Sequence, residues 1–479
     1  MITYLLGLLF LVLLLLLLDG NWRYGLLVMV LIGFAQDPIR KLTPGQPALL
    51  VGMVLVAFAG CAFVMFESRG KADLKAMFWA APEISEWIPL YFLLIILQAA
   101  NGFLKFTSPT LAVIGSAFYL APAVGLWVGF RIGLDQTLLR RILALYVFVS
   151  VIFAGTVFLS YRGIESPLLS EVGETKFITF RYGFQAVGSC GLWRTSEIAA
   201  WHLAAASCLC ICLATSIRKT NQQVLLLVIA VGFALMTITT ARRKALVLVL
   251  AFTAIYSILY SRRADAQAKE QLIANLFGVA GLSYVAYYLL LSGALGDNFN
   301  EYLKRASTAS GELISRFRDM GYNAGVRAFE LSDGIGLGIG AASQTGGLQL
   351  NFDVQNQYGS ALRYVAESGL GKIVVELGLP GIIIIAMLSF YIFQAVRRNF
   401  SLLKYLPPST SILLMGLLAF SLANIPFYLA ASQVYSDPYI LIVLSLCFGS
   451  SLAIPSLLAR NQQALQSPPR LQRPLPAMR

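Results

Sequence analysis

The sequence predicts an all-α fold, a polytopic transmembrane helical bundle of about twelve spans with a large, partly helical extracytoplasmic loop. Three observations predict it. The chain of 479 residues is 58% hydrophobic and only 12% charged, with a mean hydropathy of +0.74, whereas a soluble chain carries about a quarter charged residues. Its apolar residues fall into blocks, most of which approach the ~20 residues that cross ~30 Å of hydrocarbon as a helix. The blocks alternate with short basic linkers, and none shows the short alternating segments of a barrel.

Residues 1–160 hold apolar blocks at 2–18, 24–36, 47–66, 88–104, 108–130 and 138–160. The first lacks a basic n-region, and Asp19-Gly20-Asn21-Trp22-Arg23 offers no small-residue cleavage site, so it reads as a retained span rather than a signal peptide. The block at 24–36 is short, and reads as re-entrant or tilted. An outer loop follows at 161–195. Further spans are expected at 196–216, 222–240, 245–261 and 272–292, within a unit covering 196–292. A second and larger outer loop covers 293–371, spans at 372–395, 409–430 and 437–458 close the bundle, and 459–479 reads as a disordered cytoplasmic tail.

The formal net charge of +13 does not indicate nucleic-acid binding. The cations sit at span ends, among them Arg131, Arg140, Arg141, Arg262, Arg263, Lys269, Arg397, Arg398, Lys404 and Arg460. That is the positive-inside pattern, which places the C-terminus in the cytoplasm and residues 161–195, 293–370 and 431–436 outside. Arg40 and Lys41 conflict with it, because counting through every block puts them outside. One N-terminal block is therefore expected not to be a full span. Only Cys190 among the six cysteines lies in an outer loop, which argues against a structural disulfide. Cys208, Cys210 and Cys212 step round one helix and suggest no metal site; neither a metal nor a cofactor is expected.

Four constellations are candidates for chemistry at the outer face. The apolar stretch 222–261 is interrupted only by Arg242-Arg243-Lys244. As one helix it would run to about 60 Å, twice a bilayer core, so it must fold as a hairpin with the cationic triplet at its outer tip. Two readings stand for the triplet: snorkelling to lipid headgroups, or a site for an anionic head such as a diphosphate, which arginine grips bidentately. The outer helix expected over 299–331 carries Arg316 and Arg318, one of which is expected to pair with Glu312 or Asp319; the bland alternative is a solvated face. Gly334 to Gly340 alternates glycine with Ile335, Leu337 and Ile339. No strand precedes it, so it is read not as a dinucleotide loop but as glycine that permits a tight backbone turn beside a substrate, with Gly336, Gly338 and Gly340 at its centre.

The fourth constellation leads from Glu367 through Ser368 and Lys372 to Glu376, Gly378 and Gly381. Glu376 with Lys372 is an i, i+4 pair and reads as structural. Glu367 lies nine residues earlier, about two and a half turns further out, where a carboxylate suits a general base. Arg363 lies just before it. Away from the span ends, His202 and Glu376 stand as the charge-bearing residues within the spans, and a lone histidine on an apolar helix is more often a packing residue than a functional one.

These stretches resemble the O-antigen ligase and O-antigen polymerase superfamily of bacterial membrane glycosyltransferases, over residues 190–400. Thr240-Ala241-Arg242-Arg243-Lys244-Ala245-Leu246 is similar to the family's thr-gly-ser-arg-gly-ala-leu hairpin, with Arg243 on its arginine. Arg316 to Gly340 resembles the outer-loop pattern of an arginine, an amphipathic helix and gly-x-gly-x-gly. Glu367 to Gly381 resembles his-asn, seven residues, glu-leu-gly, two residues, gly; Glu367 stands where the ligases have histidine, and Ser368 replaces the asparagine. The resemblance implies a polymerase-like enzyme of the bacterial cytoplasmic membrane, inverting and metal-independent, acting on a polyprenyl-diphosphate-linked glycan. It implies that Arg243, with Arg242, Arg316 and Arg318, holds the diphosphate, that Glu367 deprotonates an acceptor hydroxyl, and that Asn351 to Tyr358 borders the glycan. Membrane lipids and other polysaccharide assembly proteins are the further partners it implies. Two other readings remain, a flippase or transporter of lipid-linked sugars and a non-catalytic partner in polysaccharide assembly.

Overall fold

The computed structural model describes residues 2–172, 178–179, 185–217, 219–262, 318–342, 362, 365, 367–430 and 432–466, with isolated positions 270, 278, 281 and 288. The predicted positions Arg316 and Arg363, the pairing partner Glu312 and the stretch 351–358 lie outside the described residues. The architecture is helical: α1 (Ile2–Leu18), α2 (Trp22–Leu42), α3 (Met53–Ala80), α4 (Pro82–Phe106), α5 (Pro109–Gly133) and α6 (Gln136–Tyr161) come first. A two-residue antiparallel ladder, Ile178–Thr179 with Gln185–Ala186, lies between α6 and α7 (Ser196–Ser216). Then follow α8 (Thr220–Thr239), α9 (Arg243–Ser261), the short α10 (Ala324–Leu331), α11 (Gly369–Leu402), α12 (Pro408–Ala430), α13 (Pro438–Leu452) and α14 (Ile454–Gln466).

Local sequence explains the helix starts. Side chains of Ser108, Asp135, Thr195, Ser368 and Asp437 accept hydrogen bonds from backbone N–H groups in the first turns of α5, α6, α7, α11 and α13. Each satisfies a donor that the helix itself leaves open. Among the described residues, nine helices are long and apolar enough to cross a membrane, or ten if the bent pair α13–α14 counts as one span. The chain is a multi-pass membrane protein by this measure.

Packing uses small residues where backbones approach. Gly129 and Gly133 of α5 face Leu446 and Ser450 of α13, so that an added Cβ would lie 2.5 Å from the Leu446 carbonyl oxygen and 2.6 Å from that of Ser450. The Ser450 hydroxyl donates to the Gly129 carbonyl at 3.1 Å. Close approach of this kind is how helices associate without a hydrophobic gain over lipid. Helix α7 is the most enclosed, buried along nearly its whole length among α6, α8, α9 and α12.

Two ends of the bundle are distinguished by their polar contacts. At one, Arg140 donates to the Ser216 hydroxyl at 2.8 Å and the Ser409 carbonyl at 3.0 Å, Arg131 pairs with Asp73 at 3.3 Å, and Arg398 with Glu83 at 3.8 Å. At the other, Arg194 bridges Asp37 at 2.9 Å and Asp437 at 2.5 Å. The predicted outer segments 161–195 and 431–436, where described, gather at this second end, called here the loop end.

The short block at 24–36 is a helix of 21 residues, Trp22–Leu42, whose last turn reaches the loop end. Arg40 and Lys41 are buried there rather than exposed in a linker. The Lys41 ammonium donates to the Gly191 carbonyl at 2.6 Å and the Leu168 carbonyl at 3.0 Å, and Arg40 donates to the Gln46 carbonyl at 3.0 Å. Lys41 thus ties α2 to the loop 161–195, while Arg40 closes on the turn that follows its own helix. The same cluster shows that buried ionisable groups are not confined to His202 and Glu376: Asp37, Arg40, Lys41 and Asp437 are buried as well.

Candidate functional site

The tip of the α8–α9 hairpin is a turn at Thr240-Ala241-Arg242. Ala241 adopts φ +58°, a left-handed conformation that costs an L-residue roughly 1–2 kcal/mol. The tip is held at the loop end because the Ser189 N–H donates to the Thr239 carbonyl at 3.3 Å. Arg242 turns toward the first turn of α7, donating from Nε to the Ser196 hydroxyl at 3.1 Å and pairing with Glu197 at 3.4 Å. Arg243 opens α9 and is half-buried.

The glycine run forms a backbone seam between α4, α5 and α11. Gly334, Gly336, Gly338 and Gly340 have φ from +71° to +101°, a region open mainly to glycine. The seam is stitched by hydrogen bonds: Leu337 N–H to the Val375 carbonyl at 2.7 Å, Ile339 N–H to the Gln98 carbonyl at 3.0 Å, and Leu379 N–H to the Gly334 carbonyl at 2.8 Å. The side-chain amides of Gln98 and Asn101 donate to the carbonyls of Ile335 at 2.9 Å and Gly336 at 3.1 Å. An added Cβ at Gly102 would lie 2.7 Å from the Ile339 carbonyl oxygen, and one at Gly115 would lie 2.7 Å from the Gly340 nitrogen. Absence of side chains therefore lets this segment pass close to the helices. Leu337 and Ile339, between the glycines, are buried on either side of the seam.

Glu376 anchors the far end of the run. It is fully buried, and its carboxylate accepts from the Tyr119 hydroxyl at 2.5 Å, the Gly340 N–H at 3.2 Å and the Ala342 N–H at 3.0 Å. The Lys372 ammonium stands 3.9 Å away, beyond hydrogen-bonding distance. The i, i+4 pair read from the sequence thus exists, but it is the longest of the carboxylate's four contacts. Two residues later Gly378 breaks the helix with φ +65°, and its neighbour Leu379 takes the Gly334 carbonyl described above.

Glu367 is half-buried at the mouth of α11, just before the Ser368 cap. Its carbonyl accepts from the Ser432 N–H at 2.9 Å, which fastens this mouth to the segment after α12. Arg318 is exposed and begins a single wide helical turn, Arg318–Asn323. This turn packs against both α11 and α12, while α9 packs along α12. The candidate residues are thus arrayed about the loop end of α12. The described contacts bring Arg242 to α7 and the Glu367 backbone to Ser432; they do not join the two.

His202 stands apart from this group. It is buried, its Nδ1 lies 2.7 Å from the Tyr146 hydroxyl, and its ring stacks on Trp193 with further contacts to Phe34, Trp201 and Tyr439. This is a packing role, the commoner one for a lone histidine. Sequence reasoning missed the polar contacts of Tyr119, Gln98 and Asn101, which sit on apolar helices with no local motif to mark them.

Among the described residues no group of three histidine, cysteine or acidic side chains is placed to hold a metal. No protein-family model matches the chain, and comparison with curated proteins finds no match.

Proposed function

We propose that the chain is a membrane glycosyltransferase that polymerises or transfers polyprenyl-diphosphate-linked saccharide units at the outer face of a bacterial cytoplasmic membrane, as an O-antigen polymerase-like enzyme. In this reading the loop end faces outward and the Arg140 end faces the cytoplasm, because the linker cations gather at the latter. The observation that carries the proposal is the arrangement around α12. The hairpin tip with Arg242 and Arg243, the Arg318 turn, the glycine seam and Glu367 all lie at one end of the bundle, although they come from separate parts of the chain. The left-handed turn at Ala241 adds support, since the resembling hairpin motif carries glycine there.

The reaction assigned to these residues is an inverting displacement. An acceptor sugar hydroxyl gives its proton to the Glu367 carboxylate while its oxygen bonds to the anomeric carbon of the donor. The bond from that carbon to the diphosphate oxygen breaks, and polyprenyl diphosphate leaves. Arg243 and Arg318 stabilise the charge that develops on the leaving group. Retention of Arg242 in its pair with Glu197 gives it the supporting task of fixing the hairpin tip.

The test is turnover of a purified lipid-linked repeat unit by the full chain in proteoliposomes. Glu367→Gln keeps the shape and removes the proton acceptor, so transfer is expected to fall by roughly 10²–10⁴-fold, the usual worth of a positioned base. Transport of the lipid-linked unit across the bilayer without glycan elongation would replace this reading by that of a flippase.

A further inference from the structure

Helix α10 presents three faces. Ala324 and Ala328 are buried, and Gly325 sits against the Leu370 side chain of α11. Asn323, Arg327 and Glu330 form an exposed polar strip. Tyr322, Val326 and Phe329 recur at i, i+4 and i+7, so they share one face. At 100° per residue that face points away from Ala324 and Ala328, and so away from the bundle. It is exposed: Tyr322 is 72% and Phe329 46% accessible. A water-facing helix has no use for an apolar stripe directed outward.

The stripe also continues into a wall of exposed apolar side chains. Phe329 packs beneath Gly334, where an added Cβ would meet its ring at 2.9 Å. Ile335 follows at 68% accessibility, and the Gly334 carbonyl binds the Leu379 N–H at 2.8 Å. Leu379 and Ile383 are exposed on α11, one of the helices apolar enough to span. Gly325 at Leu370 and Gly334 at Leu379 show that α10 runs alongside the first part of that span. At the opposite end of the stripe Arg318 is exposed one turn before Tyr322, and Arg327 is exposed on the polar strip.

We infer that α10 is a lipid-contacting element: Tyr322, Val326, Phe329 and Ile335 enter the hydrocarbon boundary of the adjoining leaflet, while Arg318 and Arg327 reach its phosphate groups. Aromatic side chains at this level and cations that extend to the headgroups are the usual chemistry of such a boundary. The contact sets the height at which the glycine seam enters the bundle. It does not depend on the enzymatic reading.

Spin labels introduced singly at 322, 326, 329, 335, 323, 327 and 330 test the inference, in the full chain reconstituted into phosphatidylglycerol/phosphatidylethanolamine nanodiscs. All six native cysteines are buried and free, and the unsubstituted chain treated with the label gives the background. Expected is preferential collision with oxygen at 322, 326, 329 and 335, and with a water-soluble nickel chelate at 323, 327 and 330. Equal nickel access at 326, 329 and 330 would overturn it in favour of a water-facing helix. Low access to both reagents at 326 and 329, with dipolar broadening between copies, would overturn it in favour of a dimer contact.

Discussion

The Tyr119 hydroxyl donates to Glu376 at 2.5 Å, joining α5 to α11 at the point where the same carboxylate receives the Gly340 and Ala342 N–H groups. One buried acceptor thus fixes a hydroxyl and two backbone donors from a segment that has no helix of its own. Buried polar groups are tolerated when every member is satisfied.

Glu376→Ala is expected to be the costliest single change here, because it leaves the Tyr119 hydroxyl and the Gly340 and Ala342 N–H groups without their acceptor, and each stranded buried donor costs about 1–3 kcal/mol. Tyr119→Phe removes one donor and leaves the other two in place, so its loss should be about 1 kcal/mol. Lys372→Met removes the cation 3.9 Å from a fully buried carboxylate, so its loss should exceed that of Tyr119→Phe. Melting of detergent-purified variants gives the order, and a Lys372→Met loss no larger than that of Tyr119→Phe would show that the hydroxyl and N–H donors alone hold the carboxylate.

Glycines of the seam should not accept alanine. Gly102→Ala places a methyl 2.7 Å from the Ile339 carbonyl oxygen, and Gly115→Ala places one 2.7 Å from the Gly340 nitrogen. Both would push the seam off α4 or α5 and reduce the yield of monodisperse protein. Gly155→Ala is the control, since a Cβ on this α6 position meets nothing within 4 Å; it should stabilise by roughly 0.5–1 kcal/mol through backbone entropy. Size-exclusion profiles of the three variants separate the outcomes.

The spans were legible because an apolar block of helical length has few other uses. Their ends were less so. The block at 24–36 extends to Leu42 because Asp37 pairs with Arg194 and Lys41 donates to the Gly191 carbonyl, contacts which no local pattern reveals. The misplaced cations Arg40 and Lys41 were themselves the signal, since a buried pair need not obey the linker rule. Glycine 334–340 was legible as a special backbone, but its purpose was not: alternation with Leu337 and Ile339 marks a seam only when Gly102 and Gly115 lie opposite. For Glu376, the neighbour four residues away is visible in the sequence and the hydrogen-bonded partners, at 119, 340 and 342, are not.

Cys190 gives a prediction in pH. It lies before α7, buried, and burial pushes its thiol up to about 11 despite the opposing Lys41 ammonium 3.5 Å away. The thiolate is the reactive form, so at pH 8 the folded protein should alkylate there roughly a thousandfold more slowly than its thiolate would. Labelling should climb toward pH 11. Between the ordinary value of 9.0 and about 11, the unfolded chain has lost this proton and the folded chain keeps it. Stability contributed by the neutral thiol is therefore present below pH 9 and falls as pH rises through this window. Rapid alkylation at pH 8, read by mass spectrometry, would show that the loop over Cys190 opens.

The hairpin tip allows backbone and charge to be tested separately. Ala241 holds φ +58°, so Ala241→Gly should relieve a left-handed cost of roughly 1 kcal/mol and raise the melting temperature. Turnover should be kept, because the turn already has the glycine-like conformation. Arg243→Ala removes charge without altering that turn, and under the proposed reaction it should abolish polymer while the protein still inserts and melts normally. Arg243→Lys should rescue poorly, because an ammonium cannot reproduce the bidentate grip of guanidinium on a diphosphate. Combining Ala241→Gly with Arg243→Ala should raise the melting temperature and not restore turnover. Normal polymer from Arg243→Ala would leave this cation a snorkelling role at the lipid headgroups and move the diphosphate site to the Arg318 turn.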